Sequence, residues 1–90
     1  MDTYERPLKV GKFDNFTFTF SPLYLEGEIL KSVTATTESA NITVDAVVHD
    51  GVKISATCTG VNVGNADIHF NWTTNSRSGC EASTIIIEAC

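Results

Sequence analysis

Apolar and polar residues alternate with a two-residue period through most of this chain, which is the pattern of half-buried β-strands. The clearest run leads from Phe16 to Phe20, where phenylalanine alternates with threonine. Ile68, Phe70 and Trp72 alternate with polar residues in the same way. No stretch carries a 3.6-residue apolar period long enough for a helix. The pattern therefore predicts an all-β protein.

The same period predicts further strands on either side of clear turn signals. Ser21 and Pro22 end the first strand, and Asp50-Gly51 predicts a tight hairpin that uses the positive φ of glycine. Val61 and Val63 form a short apolar piece between glycine-containing turns. The remaining strands and their apolar positions are residues 29–37 (Ile29, Val33, Ala35), a third strand (Ile42, Val44, Ala46, Val48), a fourth (Val52, Ile54, Ala56, Cys58) and about residues 80–89 (Ile85, Ile86, Ile87).

Six or seven short strands separated by frequent turns predict a β-sandwich of the immunoglobulin-like type, with about seven short antiparallel strands in residues 13–90. A small closed barrel has a similar pattern and stays open as the alternative. Residues 1–12 contain Pro7 and Gly11 and show no clean period, so they are predicted to be an N-terminal arm. The predicted shared core consists of Phe16, Phe18, Phe20, Val44, Ile54, Phe70, Trp72 and Ile87.

Composition and charge narrow the function classes. Ninety residues make one domain, whose small core favours support from partner subunits. A net charge of −5 argues against nucleic-acid binding, which needs clustered Lys and Arg. No apolar run approaches the ~20 residues that cross a bilayer, so no membrane is expected. The acidic N-terminus lacks an apolar signal region, and we expect the protein to be made and kept in a cytoplasm.

Candidate chemistry is sparse. Cys58, Cys80 and Cys90 are odd in number and form no Cys-x-x-Cys pair, so we expect free thiols. Only His49 and His69 are available to complete a zinc set, and neither a metal nor another cofactor is expected. The carboxylates are scattered over predicted turns and outward faces, whereas paired catalytic carboxylates converge in a cleft. The sequence thus predicts a protein that is not an enzyme.

The N-terminal arm is the segment without an evident structural duty. It carries three basic residues against two acidic ones, whereas residues 13–90 carry three basic residues against nine acidic ones. A slightly basic arm on an acidic body suits docking on a neighbouring molecule, although an ordinary disordered tail has the same composition. The candidate interface residues in the arm are Tyr4, Arg6, Leu8, Lys9, Val10 and Lys12.

Three segments resemble a known family. Residues 25–34, LEGEILKSVT, resemble a segment of the form L-x-x-G-E-x-I-x-S-x-x-V/W, and residues 71–79, NWTTNSRSG, resemble a late T-T-S-x-G-R segment. Residues 13–18, FDNFTF, resemble an early D-x-x-F-D strand. These segments occur in small immunoglobulin-like structural proteins of tailed bacteriophages, described as fibre–tail adaptors and related neck or tail components.

The resemblance implies a virion protein that is assembled in the host cytoplasm and acts through contacts with tail, neck or fibre proteins and with its own copies. A capsid decoration or neck protein is the alternative within this class. A carbohydrate- or host-surface-binding module is a second class, and it requires an exposed aromatic such as Tyr24 or Trp72 in a groove. A small enzyme or inhibitor requires a pocket that holds a titratable group with a perturbed pKa.

Overall fold

The computed structural model describes residues 2–20 and 27–90. The predicted break at Ser21 and Pro22, and the aromatic Tyr24, lie outside the described residues. Among the described residues no helix is long and apolar enough to span a bilayer. The strand segments are β1 (Asp2–Thr3), β2 (Leu8–Lys9), β3 (Phe13–Thr19), β4 (Ser32–Thr36), β5 (Ile42–Asp50), β6 (Lys53–Gly60), β7 (Gly64–Thr73) and β8 (Ser78–Glu88).

The strands form two sheets that close on each other as a sandwich. The first sheet has the order β4–β7–β8, with β1 and β2 both on the free side of β8. The second has the order β3–β6–β5. Because β1 and β2 pair with the same strand, we treat them as one interrupted strand. The sandwich then has seven strands. The predicted all-β, immunoglobulin-like sandwich is confirmed, except that β1 and β2 run parallel to β8.

The predicted core is buried between the sheets. Phe16, Phe20, Ile54, Phe70, Trp72 and Ile87 are buried, and the half-buried Phe18 and Val44 pack against them. Alternation explains this placement, since side chains two residues apart share one face of a strand. In β6 every second residue from Ile54 is buried, and Cys58 belongs to this face as predicted.

The sequence pattern predicts the wrong inward-facing side chains for the second half of β5. Val44 pairs with Cys58 but Val47 pairs with Ala56, so β5 has one extra residue at this point. Such a β-bulge moves the following side chains to the opposite face. Val47 therefore packs against the core, whereas Ala46 and Val48, which the alternation placed inward, are exposed.

Three other predicted elements also differ from the structure. The strand predicted over residues 29–37 covers only Ser32–Thr36, and Ile29 is 72% exposed. The short apolar piece with Val61 and Val63 is an exposed loop between β6 and β7. The hairpin loop lies one residue later than predicted. Asp50 pairs with Lys53, so the loop consists of Gly51 at φ +59° and Val52.

The predicted separation of residues 1–12 from the sandwich is wrong for the described part of that segment. Leu8 and Lys9 pair with Ile87 and Glu88, and the Leu8 side chain is only 1% exposed. The five-residue step from Thr3 to Leu8 faces a three-residue step from Thr84 to Ile87, so residues 4–7 bulge away from β8. Residues 2–10 are hereafter the N-terminal segment, and they complete the core.

The docked position of Leu8 gives a first prediction. Leu8→Ala removes a fully buried side chain and leaves a cavity, so the free energy of unfolding should fall by about 2–5 kcal/mol. The matched control is Ile29→Ala, an exposed aliphatic truncation that should change it by no more than about 0.5 kcal/mol. Urea denaturation measures both. Equal, small effects of the two changes would mean that the segment contributes nothing to the core.

Gly79 gives a second prediction. It pairs with Trp72 across β7 and β8, and a Cβ atom at this position would lie 2.5 Å from the Trp72 ring. Gly79→Ala should therefore displace the buried indole and lower the free energy of unfolding by about 1–3 kcal/mol. Ser78→Ala, one residue away on the exposed side, is the control. Denaturation midpoints and Trp fluorescence measure the two variants, and a Gly79→Ala protein with wild-type values would contradict this packing.

Candidate interaction surface

The six predicted interface residues separate into two groups. Leu8 is buried in the molecule's own core and is not available to a partner while the N-terminal segment is docked. Tyr4 and Val10 are half-buried and pack against the same core. The exposed members are Arg6, Lys9 and Lys12. Within one molecule Leu8 stabilises the domain and the charged members of this set are its exposed ones, whereas the use of the six residues as an interface stays a prediction.

Tyr4 and Arg6 cover the free edge of β3. The Tyr4 hydroxyl donates to the Thr17 carbonyl at 3.0 Å, and the Arg6 guanidinium donates to the Asn15 carbonyl at 3.0 Å. Arg6 also forms an ion pair with Asp14, with Nε 2.6 Å from Oδ2. An uncovered edge strand offers such carbonyls to other chains. The bulged part of the N-terminal segment thus supplies side-chain donors to carbonyl groups of β3 on the edge where, within residues 2–20 and 27–90, no strand pairs with it.

Three of the six large apolar side chains that are exposed among the described residues lie toward one end of the sandwich. Phe13 begins β3 and is 74% exposed, while Val61 and Val63 in the β6–β7 loop are 44% and 63% exposed. These three residues define the apolar end. The backbone holds it in place, since Gly60 N donates to Lys12 O at 3.0 Å and Val61 N donates to Asn41 O at 2.8 Å. Exposed apolar side chains on a backbone that is already ordered suit a protein contact, because little order has to be gained on binding.

A polar cluster fastens the opposite end of the sandwich. Glu28, ahead of β4, accepts hydrogen bonds from Thr74 Oγ1 at 2.5 Å and Ser76 Oγ at 2.8 Å, and its Oε2 lies 2.9 Å from Arg77 Nε. We call these four residues the Glu28 clasp. The hydrogen bonds from Thr74 and Ser76, followed by the charge of Arg77, hold the pKa of Glu28 below its ordinary value of 4.5.

The Glu28 clasp joins two of the segments that carry the family resemblance. One segment contributes Glu28 and the other contributes Thr74, Ser76 and Arg77, although 46 residues separate Glu28 from Thr74. The sequence pattern indicated turn chemistry only, and it did not indicate that the two turns meet. The arginine's position over the Trp72 ring, with its Cζ atom 5.8 Å from the ring centroid, extends the contact to the core.

Titratable side chains do not converge in a deep cleft within the described ranges. Cys80 Sγ lies 4.0 Å from His69 Nδ1, a pairing that the sequence analysis did not foresee. Both residues belong to an open sheet face, whereas a nucleophilic pair also needs a group that orients the histidine and a cleft that holds substrate. His69 lines an open depression of about 260 Å³ whose wall also includes Asp67 and Glu38.

The metal-ligand and thiol findings apply to residues 2–20 and 27–90. No three His, Cys, Asp or Glu side chains in this part of the chain come together as metal ligands. The cysteines form no disulfide, and Cys80 and Cys90 are exposed. Burial, followed by the negative charge of Asp45, raises the pKa of the Cys58 thiol to about 11. Cys58 is therefore a neutral apolar group of the core, as its place in β6 predicted.

The aromatic side chains on β3 and β7 do not form a carbohydrate platform. Trp72, whose exposure would have favoured a carbohydrate-binding module, is buried. Phe16 and Phe20 are buried as well, and the Phe20 and Trp72 rings pack edge-to-face at 5.2 Å. Phe13 is the exposed aromatic of β3, and it belongs to the apolar end.

The Glu28 clasp predicts a pH dependence of stability. A carboxyl group whose pKa is lower in the folded state stabilises the fold fully above its ordinary pKa, and this contribution is lost as the pH falls through 4.5 and below. Glu28→Gln should lower the melting temperature at pH 7 and flatten its decline between pH 5 and 3. Glu5→Gln removes the same charge from an exposed position and is the control. Identical acid profiles for wild type and Glu28→Gln would contradict the role of the clasp.

Comparisons with known proteins bear on the fold. No protein-family model matches the chain, and no curated protein matches it in sequence. The endo-fucoidan hydrolase MfFcnA4 from glycoside hydrolase family 107 contains a similar domain, with a TM-score of 0.65 and 21% identity over 98% of this chain. This chain spans only 12% of that hydrolase.

Two further solved structures are similar. Domains 4 and 5 of the S-layer protein SbsC give a TM-score of 0.56 at 18% identity, covering 90% of this chain and 46% of that one. The cysteine protease inhibitor EhICP2 from Entamoeba histolytica gives a TM-score of 0.51 at 8% identity, covering 97% of this chain and 92% of that one. At these identities the likeness concerns the fold alone. The chain is an immunoglobulin-like sandwich whose architecture occurs in proteins of unrelated activity.

Proposed function

We propose that this protein is a non-catalytic assembly module of a tailed-bacteriophage virion, which links tail, neck or fibre proteins through protein–protein contacts. The observation that carries the proposal is the apolar end, formed by Phe13, Val61 and Val63. The sequence resemblance supplies the setting. It covers β3, the Gly-Glu pair before β4 and the β7–β8 turn, and the last two of these meet in the Glu28 clasp.

The apolar end has the properties of a contact that is buried in an assembly. Leaving three large apolar side chains in water is unfavourable, and burial of each stabilises a complex by about 1.5–3 kcal/mol before the costs of association. These residues supply the apolar centre of an interface, and the polar residues around them supply its rim. Stable interfaces are larger than three side chains, so we propose that several copies bind together within the particle.

The rigid backbone beneath the apolar end supports the same function. Lys12, Gly60 and Asn41 fix the loop and the start of β3 by backbone hydrogen bonds, so little order has to be gained on binding. A surface that is already in its bound shape is suited to repeated, geometrically defined assembly.

Substitution of the apolar end tests this proposal. Phe13→Asp combined with Val63→Asp should leave the melting temperature near that of wild type, because both side chains are exposed. The charges should strongly reduce incorporation of a tagged copy into particles during productive infection. Val48→Asp, which also replaces an exposed apolar residue, is the matched control and should be incorporated normally.

The location of the tagged copy distinguishes the variants of the proposal. Gold labelling at the tail, neck or fibre base supports the adaptor role, and labelling over the capsid surface supports a decoration protein instead. Absence of the wild-type protein from purified virions would overturn the virion assignment. Normal incorporation of the Phe13→Asp/Val63→Asp variant would overturn the role of the apolar end.

A further inference from the structure

We propose that the N-terminal segment is exchanged between copies of this protein, so that residues 2–10 of one molecule fill the groove between β3 and β8 of a second. This inference rests on the proposed assembly function for its setting and names the way in which neighbouring copies are joined. The occupant is a segment of this chain, whose fit to the groove is already visible within one molecule.

The groove between β3 and β8 is a strand-binding site. On one side, β8 pairs with β1 and β2 through its free edge. On the other side, the carbonyls of Asn15 and Thr17 accept hydrogen bonds from the segment's side chains. The Leu8 side chain fills the core between them. Without an inserted segment, the groove would leave two strand edges and an apolar position open, and such sites bind an added strand.

The segment is held by contacts that do not depend on its covalent connection to β3. Two two-residue strands provide the pairing with β8, and Tyr4 N and Val10 N add bonds to Thr84 O and Glu88 O at 3.0 Å each. Leu8 is the fully buried side chain of the segment. A second copy's segment can form every one of these contacts with the same register.

A short turn connects the segment to β3 and provides the hinge. Lys12 N donates to Lys9 O at 3.0 Å, which reverses the chain, and Gly11 adopts φ +79° with no atom near its missing side chain. Opening this turn lets residues 2–12 continue outward from β3 as an extended strand. Few-residue hinges of this kind are the usual point at which identical elements are exchanged between copies.

Concentration decides between the closed and exchanged forms, because both contain the same segment–groove contacts. A short hinge gives the molecule's own segment an effective concentration in the millimolar range, so dilute protein is closed. The density of copies in an assembling particle favours exchange. Each exchanged segment then joins two molecules without any new interface chemistry.

Site-directed crosslinking between two different chains tests the exchange. Lys9 and Glu88 are paired neighbours with exposed side chains, and Nζ lies 3.2 Å from Oε2. One chain carries Lys9→Cys and the other Glu88→Cys, both with Cys80→Ser and Cys90→Ser. The two purified chains are mixed, refolded together from urea at high protein concentration and oxidised with glutathione disulfide. A control mixture pairs the Lys9→Cys chain with a Thr43→Cys chain, whose thiol lies on the opposite sheet.

Exchange predicts a disulfide-linked dimer in the Lys9→Cys/Glu88→Cys mixture, several-fold above the control and increasing with protein concentration. Peptide mass spectrometry should join residue 9 of one chain to residue 88 of the other. Deletion of Gly11 and Lys12, which removes the closed turn, should increase the dimer further. A mixture that yields no more dimer than the control, while a single chain carrying both cysteines closes its own disulfide, would overturn the proposal. Because these experiments use purified protein only, such a failure leaves the incorporation test of the proposed function intact.

Discussion

The face-to-face packing of the two sheets is the constraint on which the rest of this domain depends. The Phe20 ring meets Trp72 edge-to-face, and Phe18 lies over Phe70 with a centroid distance of 6.2 Å, so aromatic contacts join β3 and the residue that follows it to β7 of the other sheet. Beside β3 in the same sheet, β6 contributes the small residues Ala56 and Cys58 to the same core. Large rings from both sheets and small side chains from β6 together fill the interior without crowding.

The fold was predictable because its signal is local and repeated. Alternation along β3, β6 and β7 depends only on residues two positions apart, and these strands are buried as their sequences indicate. The errors arose where one event changes the register. A single extra residue between Val44 and Val47 moved the following side chains of β5 to the opposite face, and nothing in the sequence Ala46-Val47-Val48 marks the position of such a bulge.

The N-terminal segment and the Glu28 clasp were missed for a different reason. Leu8, Lys9 and Val10 do alternate, but three residues are too few to outweigh the neighbouring Pro7 and Gly11. Their partner, β8, lies almost 80 residues further along the chain, as the pairing of Lys9 with Glu88 shows. The clasp likewise depends on two turns that meet only in the folded molecule. Sequence patterns identify elements, whereas these features are contacts between distant elements.

Two edges of the sheets are protected against pairing with other chains. The N-terminal segment covers the free edge of β3, and the bulge distorts the edge strand β5, where Asp45 adds an exposed charge. Both arrangements oppose indiscriminate strand pairing. The contacts that we propose at the apolar end and at the groove would, in contrast, each accept a partner in one geometry. Protection of these edges against aggregation is compatible with such defined points of attachment.

Because Cys58 is buried, the reactivity of its thiol reports on opening of the sandwich. Its thiol is shielded from solvent at the centre of β6 and keeps its proton at neutral pH, so it is inert toward alkylating and disulfide reagents as long as the sheets stay together. Cys80 and Cys90, which are exposed, lack this protection. The rate at which the Cys58 thiol reacts with such a reagent therefore measures how often the sandwich opens under native conditions.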